Sequence, residues 1–239
     1  MNVLQRMLNI LKKNRNENKY VVYTIIFGDY DTLKEPEFIS PNFDYICFTD
    51  NLNLKSNIWK IHLVNFKKQI NLKRCAAEFI TNPFKYLKKY DLSVLVGGQI
   101  SIHIDIDEFV RTVLPVNKSI AIMHHPKRDC IYLEAEAVLK RKKDFIPVVN
   151  KQMVEYRRHG YPEHNGLVSS GIIVRRHDDK KLRMHCKLWY KEIKKHSQRD
   201  QLSFNFILWK YNLIDPAYFS TNFRLKDFIV HKHTYVQSF

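Results

Sequence analysis

Glycine is scarce. The chain holds 6 in 239 residues, where ordinary usage near ~7% would give about 17. Neither G-x-G-x-x-G nor G-x-x-x-x-G-K-[ST] occurs, so the dinucleotide fingerprint and the P-loop are excluded. Cysteine is sparse as well. Cys47, Cys75, Cys130 and Cys186 are widely spaced and form no C-x-x-C, which argues against a zinc ribbon or a disulfide framework and fits a reducing compartment. No apolar run approaches the ~20 residues of a membrane-spanning helix, and no signal-peptide core opens the sequence. The expected location is therefore cytoplasmic.

Acidic residues are the other shortage. Asp and Glu number 24 against 40 Lys and Arg, a formal net charge of +16. Such an excess points to acidic partners: nucleotide phosphates, nucleic acid or an anionic membrane surface. With 45% hydrophobic and 13% aromatic residues, the chain can bury a substantial core.

Residues 3–13 have an amphipathic pattern, with Val3, Leu4, Met7, Leu8 and Leu11 on one stripe and Arg6, Lys12 and Lys13 around it. Two readings fit. The helix packs on its own domain or a partner subunit, or residues 1–15 lie on the inner face of an anionic membrane. Residues 1–18 are thus separated, as basic helix and linker, from a domain over 19–239. Strand patterns follow at Lys19–Phe27, Phe43–Thr49, Trp59–Val64, Leu92–Val96, Ser119–Met123 and Leu167–Val174. Helical patterns occupy 70–90, with a break at Asn82-Pro83, and Cys130–Lys142. Alternating strands and helices predict a single α/β layered domain.

In such sheets ligands bind beyond the carboxyl ends of strands. Several strands here end in small or acidic residues: Phe27-Gly28-Asp29, Thr49-Asp50-Asn51 and Val96-Gly97-Gly98. These ends are either turns or a nucleotide site. The second half carries more specific blocks: His125-Pro126-Lys127-Arg128 leading to Tyr132-Leu133-Glu134-Ala135-Glu136-Ala137, then Ser169-Ser170-Gly171, then Arg199-Asp200-Gln201-Leu202-Ser203-Phe204. In these blocks, over roughly Tyr20 to Phe206, the sequence resembles a glycosyltransferase-like family once known only as a domain of unknown function. Its members include plant Golgi proteins and bacterial and viral surface-polysaccharide enzymes. Asp200-Gln201-Leu202-Ser203-Phe204-Asn205 also resembles the D-Q-D-x-L-N stretch of retaining galactosyltransferases, and Ser169-Ser170-Gly171 resembles their N-A-G strand.

The resemblance implies a GT-A fold, a Rossmann-like domain with a mixed central sheet flanked by helices, holding a UDP- or GDP-linked sugar, with a glycan or lipid-linked glycan as acceptor. Transfer develops positive charge at the sugar and negative charge on the departing diphosphate, so cations and a carboxylate should converge on the donor. Asp200 is the candidate catalytic carboxylate. Thr24, Phe27, Gly28, Asp29 and Asp50 are candidates for the nucleoside. Arg74, Gly97, Gly98, His125, Arg128, Glu134, Ser169, Ser170, Gly171 and Arg199 are candidates for phosphate or sugar, and His231 is a further candidate cation. The alternative for Asp200 is a Ser197-x-x-Asp200 capping box that opens a helix carrying Leu202, Phe206 and Trp209.

Relatives usually carry an acid after the central strand, in a pattern like S-I-W-x-D-G, which helps hold Mn²⁺ or Mg²⁺. Here Gly97 occupies that slot, and Ile80 stands where a basic residue is common. Other metal candidates are Asp105 and Asp107 in a D-x-D, and His231 and His233 late in the chain. Asp105-x-x-Glu108 also reads as a capping box. The Gly97 departure keeps open a degenerate transferase acting as a scaffold. A nucleic-acid-binding module is the other class, weakened by dispersed basic residues and by the lack of an RRM, KH or helix-turn-helix signature. A hydrolase lacks its G-x-S-x-G and a zinc triad.

Overall fold

The structure, a computed structural model, describes residues 19–66, 71–220 and 227–234. The helix expected over 3–13, and with it the boundary at residue 18, lies outside them. Among the described residues, no helix is long and apolar enough to cross a membrane.

β1 (Tyr20–Ile26), β2 (Phe43–Thr49), β3 (Lys60–Leu63) and β4 (Leu92–Val96) pair in parallel in the order β3-β2-β1-β4. β7 (Val168–Arg176) then runs antiparallel to both β4 and β6 (Ile120–His124), and β8 (Ala217–Phe219) closes the edge parallel to β6. The sheet is therefore mixed, as expected, and seven-stranded, with β8 added to the six strands that the sequence pattern marks. β5 (Ile100–Ile102) and β9 (Phe228–Val230) form a small second sheet that the sequence pattern does not reveal.

The strands read as nearly continuous apolar runs because both sheet faces are covered. On one face Val22, Ile26, Val94, Val96, Ile172 and Val174 pack with Phe109 and Val113 of α2 (Ile106–Val113) and with Ile102 and Phe228 of the small sheet. Alternate residues Val21, Tyr23, Leu95 and Ile173 meet α1 (Leu72–Thr81) and α5 (Lys180–Lys195) on the other. α3 (Ile131–Lys140), α4 (Ile146–Arg158) and α6 (Gln201–Tyr211) complete the helical layer.

Polar residues set the helix starts. Asn71 accepts from the Arg74 amide, Asp105 from Asp107, and Asp179 from Lys181 and Leu182. Trp189 of α5 is fully buried, and its Nε1 donates to the Asp200 carbonyl at 2.9 Å. Truncating it would cost about 3–5 kcal/mol of packing and would release the start of α6. Core and loop are coupled at this one ring.

Candidate active site

The order β3-β2-β1-β4 places a topological switch between β1 and β4, since the chain leaves β1 toward β2 and returns on β1's other side. A ligand crevice is expected beyond their carboxyl ends. A cleft of about 640 Å³ opens there, and both strand ends, Phe27-Gly28 and Gly97-Gly98, line it. Gly28 has φ +63, and a Cβ there would fall 2.7 Å from Leu72 Cδ1, so the turn out of β1 requires glycine. A Cβ at Gly98 would meet Ile26 and Asp31 at 2.9 and 3.2 Å; the missing side chain keeps the cleft floor low.

β7 supplies the opposite wall. Between Ile122 and Met123 of β6 the pairing skips from Ile173 to Ser169, so Ser170, Gly171 and Ile172 bulge. The bulge re-aims the strand. Ser169, Ser170 and Gly171 all line the cleft, and the Gly171 carbonyl accepts from the Gly97 amide at 2.8 Å.

His125, Arg128 and Glu134 meet on one rim. Arg128 donates from Nε and Nη2 to Glu134 Oε2 at 2.6 and 2.5 Å, and His125 Nε2 stands 3.6 Å from the same oxygen. His125 Nδ1 accepts from the Arg128 amide at 3.1 Å, so a neutral ring carries its proton on Nε2, toward Glu134. Glu134 is buried; its charge is tied to Arg128, which makes this group a fixed polar wall.

Asp200 faces the cleft from the start of α6. It caps that helix: Oδ1 accepts from the Gln201 amide at 3.0 Å. Oδ2 has no hydrogen-bond partner although the residue is only 8% exposed. The expected box with Ser197 as cap does not form: the helix opens at Asp200, and Ser197 Oγ lies in the preceding loop, accepting from the Arg199 amide at 3.0 Å and donating to Asp144 Oδ2 at 2.6 Å. The loop before Asp200 is held from several sides. Asp144 also accepts from the Gln198 amide, and Gln152 Oε1 accepts from the Ser197 amide.

Arg74 belongs to the same scaffold. Its guanidinium donates to the carbonyls of Ile193, Lys194 and His196 at 2.6–3.1 Å, closing the end of α5, and it does not line the cleft. The expected phosphate contact is replaced by a positioning role. Thr24, Asp29 and Asp50 also lie off the cleft. Thr24 is buried in β1, Asp29 accepts from Asn51 Nδ2 at 2.7 Å, and Asp50 accepts from the Gly28 amide at 2.8 Å. The latter two tie the β1 and β2 ends together.

Cations that sequence reading passed over do face the cleft. Lys73, Arg141 and Lys143 line it with Arg128 and Arg199. Burial, then repulsion from Arg199, lowers the Lys73 ammonium below its ordinary range, with Asp144 opposing. Lys143 is lowered likewise, by burial first and then by Arg199 and Arg141. Mutual repulsion of this kind is relieved when an anion enters. Gln99, Tyr30 and Asp31 are further lining residues that sequence reading passed over.

The candidate metal ligands do not assemble. Asp105 caps α2 and accepts from Ser40 Oγ at 2.7 Å, while Asp107 meets Asn42 and Arg111. His231 Nε2 bonds Ser101 Oγ at 2.9 Å. His233 alone of these lines the cleft, with its Nδ1 2.7 Å from Asp31 Oδ1. Divalent ions such as Mg²⁺ and Mn²⁺ want several oxygen ligands together. Among the cleft carboxylates, Glu134 is bound to Arg128 and Asp31 to His233, which leaves the single unpartnered oxygen of Asp200, and Gly97 supplies none. Among the described residues, the one cluster of three His or acid ligands is Glu155, Glu192 and His196, which is not part of the cleft lining. The residues present do not fit a protein-held divalent ion in the cleft.

The fold and site define a mixed α/β domain with a cationic ligand crevice at its switch point. The sequence matches the family model of the TOD1/MUCI70 glycosyltransferase-like domain over residues 6–234, and the chain belongs to that family. A comparison with curated proteins found no match.

Proposed function

We propose that the protein is a nucleotide-sugar-dependent glycosyltransferase acting on a glycan acceptor. The carrying observation is that Asp200 Oδ2, a carboxylate oxygen without a partner, shares a cleft with Lys73, Arg128, Arg141, Lys143 and Arg199. An apolar slot from Ile25, Phe27, Leu72, Ala76 and Ile80 borders the same cleft and suits a nucleobase. The diphosphate then lies beside Gly97-Gly98 at the carboxyl end of β4, next to the Gln99 side chain.

In the reaction, the acceptor hydroxyl oxygen bonds to the anomeric carbon as the bond from that carbon to the terminal phosphate oxygen breaks. The electron pair leaves with the nucleoside diphosphate, and the hydroxyl proton passes to Asp200 Oδ2. Arg199, Lys73, Lys143 and Arg141 receive the charge that develops on the leaving group, a preorganised electrostatic stabilisation. These cations take the part that a divalent ion plays elsewhere.

Calorimetry across UDP- and GDP-sugars, with Mn²⁺ and with EDTA, tests the reading. Binding of at least one donor, with slow donor hydrolysis in the absence of acceptor, is expected. No heat from any donor under either condition would overturn it. Binding without hydrolysis or transfer would favour the scaffold alternative, for which Gly97 speaks.

A further inference from the structure

A second hollow, of about 580 Å³, lies beside the β6–β7 strand ends and is bordered by His124, Asn165, Asn205, Trp209, Asn212 and Tyr218. We infer that it binds a neutral oligosaccharide, the stem of the acceptor glycan. The acceptor assignment rests on the transferase reading above; the saccharide site itself does not.

Charge gives the first argument. The chain carries +16, and the cleft is crowded with cations, yet no Asp, Glu, Lys or Arg lines this hollow. Among the described residues, a phosphate-bearing ligand would find no counter-charge in the lining, which argues against nucleic acid. A lipid chain would require a mostly apolar wall, whereas asparagines and a histidine make up much of this one. A sugar presents hydroxyls that donate and accept, and C–H faces that are apolar. The hollow matches both.

Its aromatic faces are built and supported. Trp209 and Tyr218 are each 39% exposed, whereas Trp59 and Trp189 are buried. Tyr218 stacks on His124 with centroids 4.3 Å apart and 12° between planes. Trp209 is held edge-on by Tyr161 at 5.3 Å and tilted against Phe206 at 6.0 Å. Rings held in place while partly exposed lose little freedom when a flat apolar ligand covers them. Between them Asn205 is 4% exposed, and its Oδ1 has no hydrogen-bond partner. A buried amide oxygen left unpaired is costly, and a ligand hydroxyl relieves that cost.

Helix periodicity joins the hollow to the cleft. Asn205, Leu208, Trp209 and Asn212 fall on one stripe of α6, and Gln201, one turn before Asn205, lines the cleft. His124 of the hollow directly precedes His125 of the cleft. From Asp200 to Trp209 the helix rises about 14 Å, longer than one pyranose ring. The site therefore reads an oligosaccharide whose terminal hydroxyl reaches Asp200.

The test uses the full chain without nucleotide. Neutral tetrasaccharides of glucose, galactose, mannose, xylose and N-acetylglucosamine are titrated by calorimetry and by intrinsic tryptophan fluorescence. At least one is expected to bind with a Kd of about 1 mM or tighter and to change the emission. Trp209→Ala and Tyr218→Ala should each weaken it about tenfold or more, with Trp209→Phe retaining most of the affinity. Melting temperature and nucleotide-sugar affinity of the same variants report their folding. No binding of any neutral tetrasaccharide, wild-type affinity in both alanine variants, or binding confined to uronic-acid oligosaccharides would each overturn the inference. Saccharide binding that persists in a protein blind to every nucleotide-sugar would sink the transferase reading and leave this site standing.

Discussion

Along α6, Asp200 and Gln201 face a cleft shared with Lys73, Arg141, Lys143 and Arg199, whereas Asn205, Trp209 and Asn212 face a hollow without an ionised side chain. One helix thus serves two ligand environments of opposite character. The cleft holds positive charge at some internal cost, visible in the lowered Lys73 and Lys143. The hollow holds exposed rings and an unpaired amide oxygen. On the proposed reading, an anion would relieve the penalty in one and an uncharged sugar the penalty in the other, so that donor and acceptor specificity would be separated in space and joined by a single helix.

The separation breaks most sharply at Asp200. Asp200→Asn preserves the helix cap, since asparagine caps as well as aspartate, but removes the proton acceptor. Transfer should fall about 10²- to 10⁴-fold, with nucleotide-sugar and saccharide affinities each within about twofold of wild type. Steady-state rates with calorimetry on one preparation check it. Wild-type turnover in this variant would remove Asp200 from the chemistry.

Charge removal is next in size. Arg199→Ala should weaken nucleotide-sugar binding about tenfold or more, as loss of a charge-assisted hydrogen bond does, and leave the hollow's saccharide affinity unchanged. Raising salt from 50 to 500 mM should likewise weaken only the nucleotide. If both ligands lose affinity together, the two regions are not electrostatically distinct.

Much of the cleft's frame was legible because it rests on local chemistry. Phe43–Thr49 and Leu92–Val96 read as strands at their observed limits, since both are predominantly apolar runs bounded by turn residues. Asp105 capped a helix as one of its two readings allowed. The failures share a different cause. Ser197 looked like a cap, but it lies in the loop before the helix, where its hydroxyl donates to Asp144, 53 residues away. Arg74 looked like a phosphate ligand, but three carbonyls more than a hundred residues distant hold it. Lys73, Arg141 and Lys143 have no local signature among 40 basic residues; only the fold brings them together. The hollow was hidden for the same reason, since Tyr218 and Asn165 join the α6 stripe from separate segments.

Acid should affect both regions alike, because their helix rests on buried histidines. His185 packs 5.0 Å from Phe204 of α6, and neither ring nitrogen has a hydrogen-bond partner. Burial, then Arg175, pushes its imidazole down to about 3 from 6.5. His177, bonded to Ser93 Oγ, is pushed down to about 4 by burial, then by Arg175 and Arg183. Both are depressed in the folded state, so the unfolded chain binds more protons below pH 6.5. Stability is therefore complete above 6.5 and lost as pH falls, by at most about 1.4 kcal/mol per unit for each group. Urea melts at pH 7.5 and 5 should show the loss, and His185→Leu should reduce it. Equal stability at the two pH values would mean that these rings do not stay neutral.

The smallest expected effect is on wild-type turnover when divalent ions are removed. If cations of the protein neutralise the leaving diphosphate, EDTA should change the rate less than about twofold, because a lysine or arginine needs no ion to carry its charge. Gly97→Asp turns this into a positive test. A Cβ at Gly97 meets the mobile Gln99 Oε1 at 2.9 Å and the Gly171 carbonyl at 3.5 Å, so a small side-chain shift admits it. The new carboxylate would join a cleft that Asp31 and His233 also line. Nucleotide-sugar affinity should then drop without metal, through repulsion of the phosphates, and recover with Mn²⁺. Wild-type activity abolished by EDTA and restored by Mn²⁺ would show instead that the lysines and arginines are insufficient. The contrast between cleft and hollow would then be one of a metal site against a sugar site, not of protein charge against its absence.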